Sequence, residues 1–314
     1  SGNNTILTSS NEVEFEWNNS TGQKFVTTIG LDEDYLFDIT QRVENNSGEE
    51  IVINNASKVT RKQSPTLSGM FILHEGLLGV LQEKLELIDY DDLKDDDETL
   101  NFESDNGWVG ITDKYWLAAL IPDQDKSFKA IYTYDNGYIA YYRSLNATKV
   151  MPGNDHTVES QIFIGAKEAK LIDRYQEEYG IYNFDLAIDW GWFYFLTKPL
   201  FNVIYFFSQL SGNFGLAIII LTVITRVVFF PLANWSFISM AKMKMLQPEM
   251  TRIKELHKDD KAQQQQALMA LYKKEKVNPI SGCLPILIQI PFFFAIYKML
   301  FVSIEMRHAP FYGW

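Results

Sequence analysis

The chain has 314 residues, long enough for two domains, and its 40 Asp+Glu outnumber 28 Lys+Arg. The excess is local: residues 1–190 carry a net −19, whereas residues 236–280 carry a net +4. An acidic face cannot track phosphates, so no direct nucleic-acid contact is expected, and the single cysteine, Cys283, excludes an intrachain disulfide.

In chain order, residues 1–165 read as β. Short alternating runs recur at 12–17, 24–31, 35–43, 50–59, 108–120, 129–135, 138–143 and 157–166. Turn signals such as Asn46-Ser47-Gly48 and Asp135-Asn136-Gly137 punctuate them. Many short strands with such turns imply an antiparallel sandwich or barrel. The acidic stretch 89–100, "DYDDLKDDDETL", reads as a solvated connection; it lacks the glycine and final glutamate of a calcium loop. Residues 166–180 switch to a helical period and end on Gly180, so the β domain with its closing helix is expected to span 1–180.

Residues 181–212 form the next unit, a linker and the aromatic-rich segment "WGWFYFLTKPLFNVIYFFSQL" (190–210). A spanning helix and an amphipathic helix lying in the membrane surface both fit; Lys198 and Pro199 at mid-segment and the many aromatics favour the surface. Residues 214–230 are apolar enough to cross a bilayer, at about 26 Å of helix, and Pro231 is expected to close the span within a unit 213–235. Residues 283–303 hold a second span, polar only at Gln289 and Lys298. Residues 304–314 begin the loop beyond it.

Between the spans, 236–282 reads as a helical hairpin. Met243, Leu246, Met250, Ile253 and Leu256 repeat at helical steps, and Leu268, Leu271 and Tyr272 do so after a polar tip, giving an apolar seam. Its Lys+Arg excess places it in the cytoplasm, which puts residues 1–212 on the opposite side of the membrane. The chain starts at Ser1 and stops at Trp314 just after an apolar run, and is expected to be a piece of a longer protein.

Arg226 stands inside the first span. A charge at mid-bilayer costs about 2.5–3.5 kcal/mol on insertion scales, and arginine cannot shed its proton. Either it reaches headgroups or a carboxylate, or it faces a water-filled cavity that attracts polar or acidic groups. Thr222 lies one turn earlier on the same face. Gln289 either hydrogen-bonds a neighbouring helix or lines the same cavity. Met240, Met243, Met245 and Met250 form a seam or a soft docking surface, with Met245 off the seam. His74, His156, His257 and His308 show no metal-ligand spacing, and no phosphate-binding, dinucleotide or nucleophile-elbow motif is present. No catalytic residue, metal or cofactor is expected, and the protein is not expected to be an enzyme.

The stretches "GNFGLAIIILTVITRVVFFPL" (212–232), "SMAKMKMLQPEM" (239–250), "ALYKKEKVNPISGCLPILIQIPFFFAIYKML" (270–300) and "SIEMRHAPF" (303–311) resemble the YidC/Oxa/Alb family of membrane-protein insertases, in its Gram-negative bacterial branch. The resemblance covers roughly residues 190–314; the β region resembles the family's periplasmic domain more weakly. It implies a β-supersandwich of the sugar-mutarotase kind, followed by an insertase core with a cytoplasmic hairpin in the bacterial inner membrane. It implies a hydrophilic groove in which Arg226 receives the polar segment of an incoming protein, lined by Thr222 and Gln289. Met240, Met243, Met245, Met250 and the hairpin tip at His257 are then the region that meets substrate or ribosome. The partners implied are nascent membrane proteins, the Sec translocon, the ribosome and the lipid bilayer. The family's N-terminal anchor and its last three core helices are expected to lie outside this stretch of sequence, so the stretch alone is not expected to close a groove. Two rival readings are a membrane-anchored periplasmic glycan-binding sandwich, for which Trp108 and Trp116 are candidate stacking residues, and a channel or transporter fragment with Arg226 as an anion site.

Overall fold

The computed structural model describes residues 6–63, 73–95, 99–275, 277–278, 282, 284–309 and 311–312. Cys283 and most of the "KVNPISGC" entry into the second span lie outside the described residues, as do residues 96–98 of the acidic stretch. The chain divides into two compact units, Ser1–Gly191 with Val302–Arg307, and Trp192–Phe301 with His308–Trp314.

The first unit is an antiparallel β-sandwich. Its strands are β1 (Val13–Asn18), β2 (Gln23–Leu31), β3 (Leu36–Asn45), β4 (Ile51–Ile53), β5 (Ala56–Arg61), β6 (Gly76–Leu81) and β7 (Lys84–Ile88). Then come β8 (Leu100–Ser104), β9 (Trp108–Thr112), β10 (Trp116–Ile121), β11 (Phe128–Tyr134), β12 (Tyr138–Ser144), β13 (Thr148–Val150) and β14 (Asp155–Ala166). One sheet runs β1-β2-β3-β14-β10-β9-β6-β7, a second runs β5-β12-β11-β8, and β13 pairs with β4.

The core lies between the two larger sheets. Leu77, Leu81, Val109, Ile111 and Leu120 of the long sheet meet the ring-bearing faces of β11 and β12. On those strands Phe128, Ala130 and Tyr132 alternate inward, as do Tyr138, Ala140 and Tyr142. The register sets Ala130 against Tyr142 and Tyr132 against Ala140, so each large ring has a small neighbour. The Tyr132 hydroxyl donates to the Leu78 carbonyl at 3.0 Å, which satisfies the one polar atom that the ring carries inside.

The opposite face of the long sheet is covered by α2 (Ala169–Glu178) and a 3-10 turn at Phe184–Ala187. Phe184 meets Trp108 edge-on at 5.4 Å and Phe163 at 5.8 Å, and Phe163 meets Tyr175 at 5.9 Å. Strands β6 and β9 are therefore buried on both faces. Such strands read as unbroken apolar runs rather than alternations. Gly79 in β6 fits only because it lacks a side chain: a Cβ there would stand 2.3 Å from the Tyr132 hydroxyl and 2.6 Å from the Trp108 carbonyl.

Several expectations need correction. The run 50–59 is two strands, β4 and β5, broken at Asn54-Asn55, and the run 108–120 is the hairpin β9–β10, closed by Asp113 N–H donating to the Trp116 carbonyl at 2.9 Å. The acidic stretch is not only a solvated connection. It contains the short helix α1 (Tyr90–Asp95), which buries Tyr90 and Leu93 in the sandwich core. Burial pushes the Tyr90 hydroxyl up to about 12, while the neighbouring Arg61 guanidinium, ion-paired to Asp113, opposes the shift. The closing helix of the domain is α2, shorter than the 166–180 reading at both ends, with Gly180 in the left-handed conformation just beyond it.

The second unit is helical: α3 (Tyr194–Ser211), α4 (Phe214–Met245), α5 (Gln247–Leu256), α6 (Lys261–Lys274) and α7 (Leu284–Val302). Gly212 at φ 65° stops α3, and the Asn213 side chain caps α4 by accepting from Leu216 N–H at 3.0 Å. Pro231 does not close the first span. It sits inside α4, which continues for another 14 residues to Met245. A proline removes one ladder hydrogen bond, and the apolar, helix-compatible residues around it carry the helix through. At 32 residues α4 is about 48 Å long, so the hairpin begins after Met245 rather than at Ser236.

Candidate functional site

The site is built on α4 and α7. Both are long and apolar enough to cross a membrane, with mean hydropathy 2.4 and 1.8 in their most apolar windows. Both leave large apolar side chains exposed: Ile219, Val223, Val227, Val228 and Phe230 on α4, and Ile286, Leu287 and Phe293 on α7. Apolar surface on this scale belongs against lipid or protein, not water.

Two contacts fix how the helices meet. The Phe229 and Phe292 rings stand edge-to-face at 5.4 Å, and the Ser236 hydroxyl donates to the Gly282 carbonyl at 3.1 Å. Position rises along α4 as it falls along α7, so the two run antiparallel. The ring contact puts Gln289 near the level of Leu232, roughly 9 Å along the axis from Arg226.

Arg226 and Thr222 are both exposed, one helical turn apart; Gln289 is half-buried. The structure thus sets two of the three on one stripe of α4 and the third on α7, nearer the hairpin, and no hydrogen bond joins them among the described residues. The Thr222 hydroxyl donates to the Ile218 carbonyl at 2.8 Å, and Thr225 does the same to Leu221 at 2.7 Å. Returning the hydroxyl to the helix lowers the cost of a threonine in an apolar setting. Thr225, adjacent to the arginine, and Ser236 are polar groups that the sequence reading passed over. Their intrahelical and inter-helix bonds leave no mark in the sequence.

The hairpin seam is present in part. The Tyr272 hydroxyl donates to Met250 Sδ at 3.7 Å, Leu271 is buried, and Met243, Leu246 and Ile253 are half-buried. Leu256, read as a seam residue, is 73% exposed, because it is the last residue of α5. Met240 lies against Gly282, Met245 is exposed off the seam, and His257 is half-buried at the tip. Asp260 caps α6 by accepting from Ala262 and Gln263 N–H at 3.0 and 2.9 Å.

α3 buries a stripe of Thr197, Leu200, Phe201, Ile204 and Ser208 and exposes Tyr194, Phe195, Phe206 and Leu210. Among the described residues no group of three or more His, Cys, Asp or Glu is placed to hold a metal ion. Trp108 is fully buried against Phe184 and cannot stack on a ligand, whereas Trp116 is exposed.

The chain is thus of the class that joins an all-β domain to two helices long and apolar enough to cross a membrane, with a basic helical hairpin between them. Sequence comparison then places it. The profile of the YidC periplasmic domain matches residues 1–203, and that of the 60Kd inner membrane protein matches residues 206–314. The chain is 51% identical over its whole length to a membrane protein insertase YidC of Pelagibacter ubique, and 47% identical over 98% of its length to one of Rickettsia africae. It spans 56% of the length of each of these relatives. Among solved structures, an active YidC insertase with its first transmembrane domain resolved is similar over 94% of this chain and 56% of that one, at 23% identity and a TM-score of 0.35. A galactose mutarotase related enzyme from Lactobacillus acidophilus is similar over 49% of this chain and 67% of that one, at 12% identity and a TM-score of 0.36. The chain belongs to the YidC family.

Proposed function

We propose that the protein inserts other proteins into the bacterial inner membrane, with Arg226 as the electrostatic receiver of the segment that must cross. The observation that carries this reading is the arginine itself: exposed on a helix of lipid-facing character, with no ion pair among the described residues. Such a charge is stable only beside water or a polar guest.

The energetics favour a guest of opposite sign. One acidic side chain at mid-bilayer costs about 2.5–3.5 kcal/mol on insertion scales. A carboxylate about 4 Å from a guanidinium at an effective dielectric near 20 gains about 4 kcal/mol. One arginine therefore offsets about one carboxylate, which suits short, sparsely charged segments. Thr222 and Gln289 supply further polar lining, and burial of the guest's own apolar helix in lipid drives the rest. No covalent step, metal or cofactor is required.

The proposed arrangement sets residues 1–212 in the periplasm, α4 and α7 across the membrane, and the hairpin in the cytoplasm. There its lysines, Met240, Met243, Met245, Met250 and the tip at His257 meet nascent chains and the ribosome, and the Sec translocon is a further partner. α3 lies in the outer interface, with its exposed aromatics among headgroups.

The test is insertion by the full-length protein carrying Arg226→Ala, in cells depleted of the native copy. Two single-span substrates are compared, with and without an acid in the translocated segment. The acidic substrate is expected to insert about tenfold more slowly, the factor given by ~1.4 kcal/mol in a barrier. Equal insertion of both substrates at the native rate overturns the role of Arg226.

A further inference from the structure

The β9–β10 turn of the first unit carries a cationic, aromatic tip that the insertion reading does not use. Asp113, Lys114, Tyr115 and Trp116 form it. The Arg307 guanidinium stands over the Tyr115 ring at 5.4 Å, and Lys114 Nζ stands over the same ring at 4.9 Å. Both lie within the roughly 6 Å at which a ring attracts a cation. The two charges are therefore at most about 10 Å apart, close to the roughly 8–10 Å over which charges are felt in physiological salt, and they act as one positive patch. Arg307 is exposed and forms no ion pair among the described residues.

The acids around the turn are engaged. Asp113 pairs with Arg61, and Glu75 Oε1 accepts the Lys114 N–H at 3.2 Å. Both oxygens of Asp189 accept backbone N–H groups, from Gly191 at 3.1 Å and from His74 at 3.2 Å. The two cations occur in a domain whose residues 1–190 carry a net −19. Trp116, which ends the turn, is 59% exposed.

Chain geometry limits where this tip can stand. Val302 ends α7, whose 19 residues rise about 28 Å, close to the roughly 30 Å of a bilayer core. Arg307 follows five residues later, within about 18 Å even at full extension, and its N–H turns back to the Ile304 carbonyl at 2.9 Å. The other exit from the β unit leads to the same turn. Gly191 stands three residues before α3 and is held by Asp189; Asp189 also holds His74, and the next residue, Glu75, holds Lys114. The tip is therefore tied to both points at which the chain leaves for apolar helices.

We propose that this tip binds the phosphates of anionic phospholipid headgroups at the outer surface of the membrane. The inference rests on the reading that α7 crosses the bilayer with its Val302 end outside. Tryptophan and tyrosine rings suit the headgroup level, with the apolar body against the chains and the polar edge in water. Arginine meets a phosphate with paired N–H donors and lysine meets it as a point charge. A soluble anion has no use for the exposed Trp116 ring, whereas a lipid surface engages ring and charges together. Lipid bound there holds the β9–β10 turn, and with it both chain exits, at the membrane surface.

The experiment is tryptophan fluorescence of the full-length protein in phosphatidylcholine nanodiscs. Phosphatidylglycerol brominated near the headgroup, or phosphatidylcholine brominated in the same way, is titrated in. Subtracting the spectrum of Trp116→Phe isolates Trp116, and subtracting that of Trp235→Phe isolates an exposed residue of α4. Trp116 is expected to reach half-quenching at a roughly fivefold lower mole fraction of the glycerol lipid, the enrichment that a basic side chain gains at an anionic surface. Arg307→Gln and Lys114→Gln each reduce this preference severalfold, and Arg307→Lys retains it; unfolding curves verify the fold of each variant. Equal quenching by the two lipids, or an undiminished preference in Arg307→Gln or Lys114→Gln, overturns the assignment. Loss of the preference to inorganic phosphate at matched ionic strength also overturns it, since that marks a free-anion site. Quenching of Trp235 without Trp116 overturns the lipid contact and leaves the membrane reading in place, whereas quenching of neither overturns both.

Discussion

Glu305 lies in the stretch that follows α7, and it belongs to the β unit. Its Oε1 accepts the Ala169 N–H at 2.7 Å, so it caps the first turn of α2, where Glu168 forms no side-chain cap of its own. Its second oxygen is buried without a partner, and burial pushes its carboxyl above the usual range. Two substitutions separate these effects. Glu305→Ala removes the cap, which costs about 1 kcal/mol, or about 2–4 °C in Tm for a domain of this size. Glu305→Gln retains an acceptor for Ala169 N–H and removes the buried charge. A carboxyl whose pKa is raised on folding binds its proton more tightly in the native state, so native stability falls as pH rises from about 4.5 through the raised value. The Tm of Glu305→Gln relative to the native protein should therefore increase across that window and then level off. The assay is thermal unfolding followed by tryptophan fluorescence from pH 4 to 8; Trp108 and Trp190, both buried in this unit, report it. Equal losses in the two variants at every pH, or parallel pH profiles for Glu305→Gln and the native protein, would refute the reasoning.

Gly79→Ala should destabilise the sandwich by about 1–3 kcal/mol, because its Cβ would collide with the Tyr132 hydroxyl and the Trp108 carbonyl. Adding Tyr132→Phe should relieve only part of this in denaturant melts, since the carbonyl is backbone; complete rescue would contradict the geometry. Asp260→Ala should cost α6 about 1 kcal/mol by releasing two capped N–H groups, seen as faster amide exchange at Ala262 and Gln263; unchanged exchange would deny the cap. The Phe229–Phe292 pair should show a coupling of about 0.5–1.5 kcal/mol in a double-mutant cycle to leucine, read from unfolding in detergent. A coupling of zero would remove the contact that sets the α4–α7 register.

Strands were legible where one face is buried and the other is not. β11, β12 and the first half of β14 alternate, and their positions follow from the sequence within a few residues. β6 does not alternate because both of its faces are covered, and its hairpin to β7 turns on Gln82 and Glu83, both in the left-handed conformation, without the glycine or asparagine that marks such turns. α4 outran its expected end because a proline reads as a stop only where neighbouring residues do not favour helix. Arg226 and Thr222 were legible as one stripe since four-residue spacing is local. The rows across β2, β3 and β14 were not, since Phe25, Val43 and His156 come onto one sheet face only through the registers of three strands.

The central claim is that the Arg226 stripe of α4 faces the chain being inserted. A photoreactive residue at Thr222 of the full-length protein, offered a ribosome-bound nascent membrane protein, tests it most directly, with Ile224, exposed on the side of α4 away from Thr222 and Arg226, as the control. Crosslinks to the nascent chain from position 222, and to lipid from position 224, are the predicted result. Efficient crosslinks to the nascent chain from 224 with none from 222 would contradict the account and leave Arg226 a structural charge.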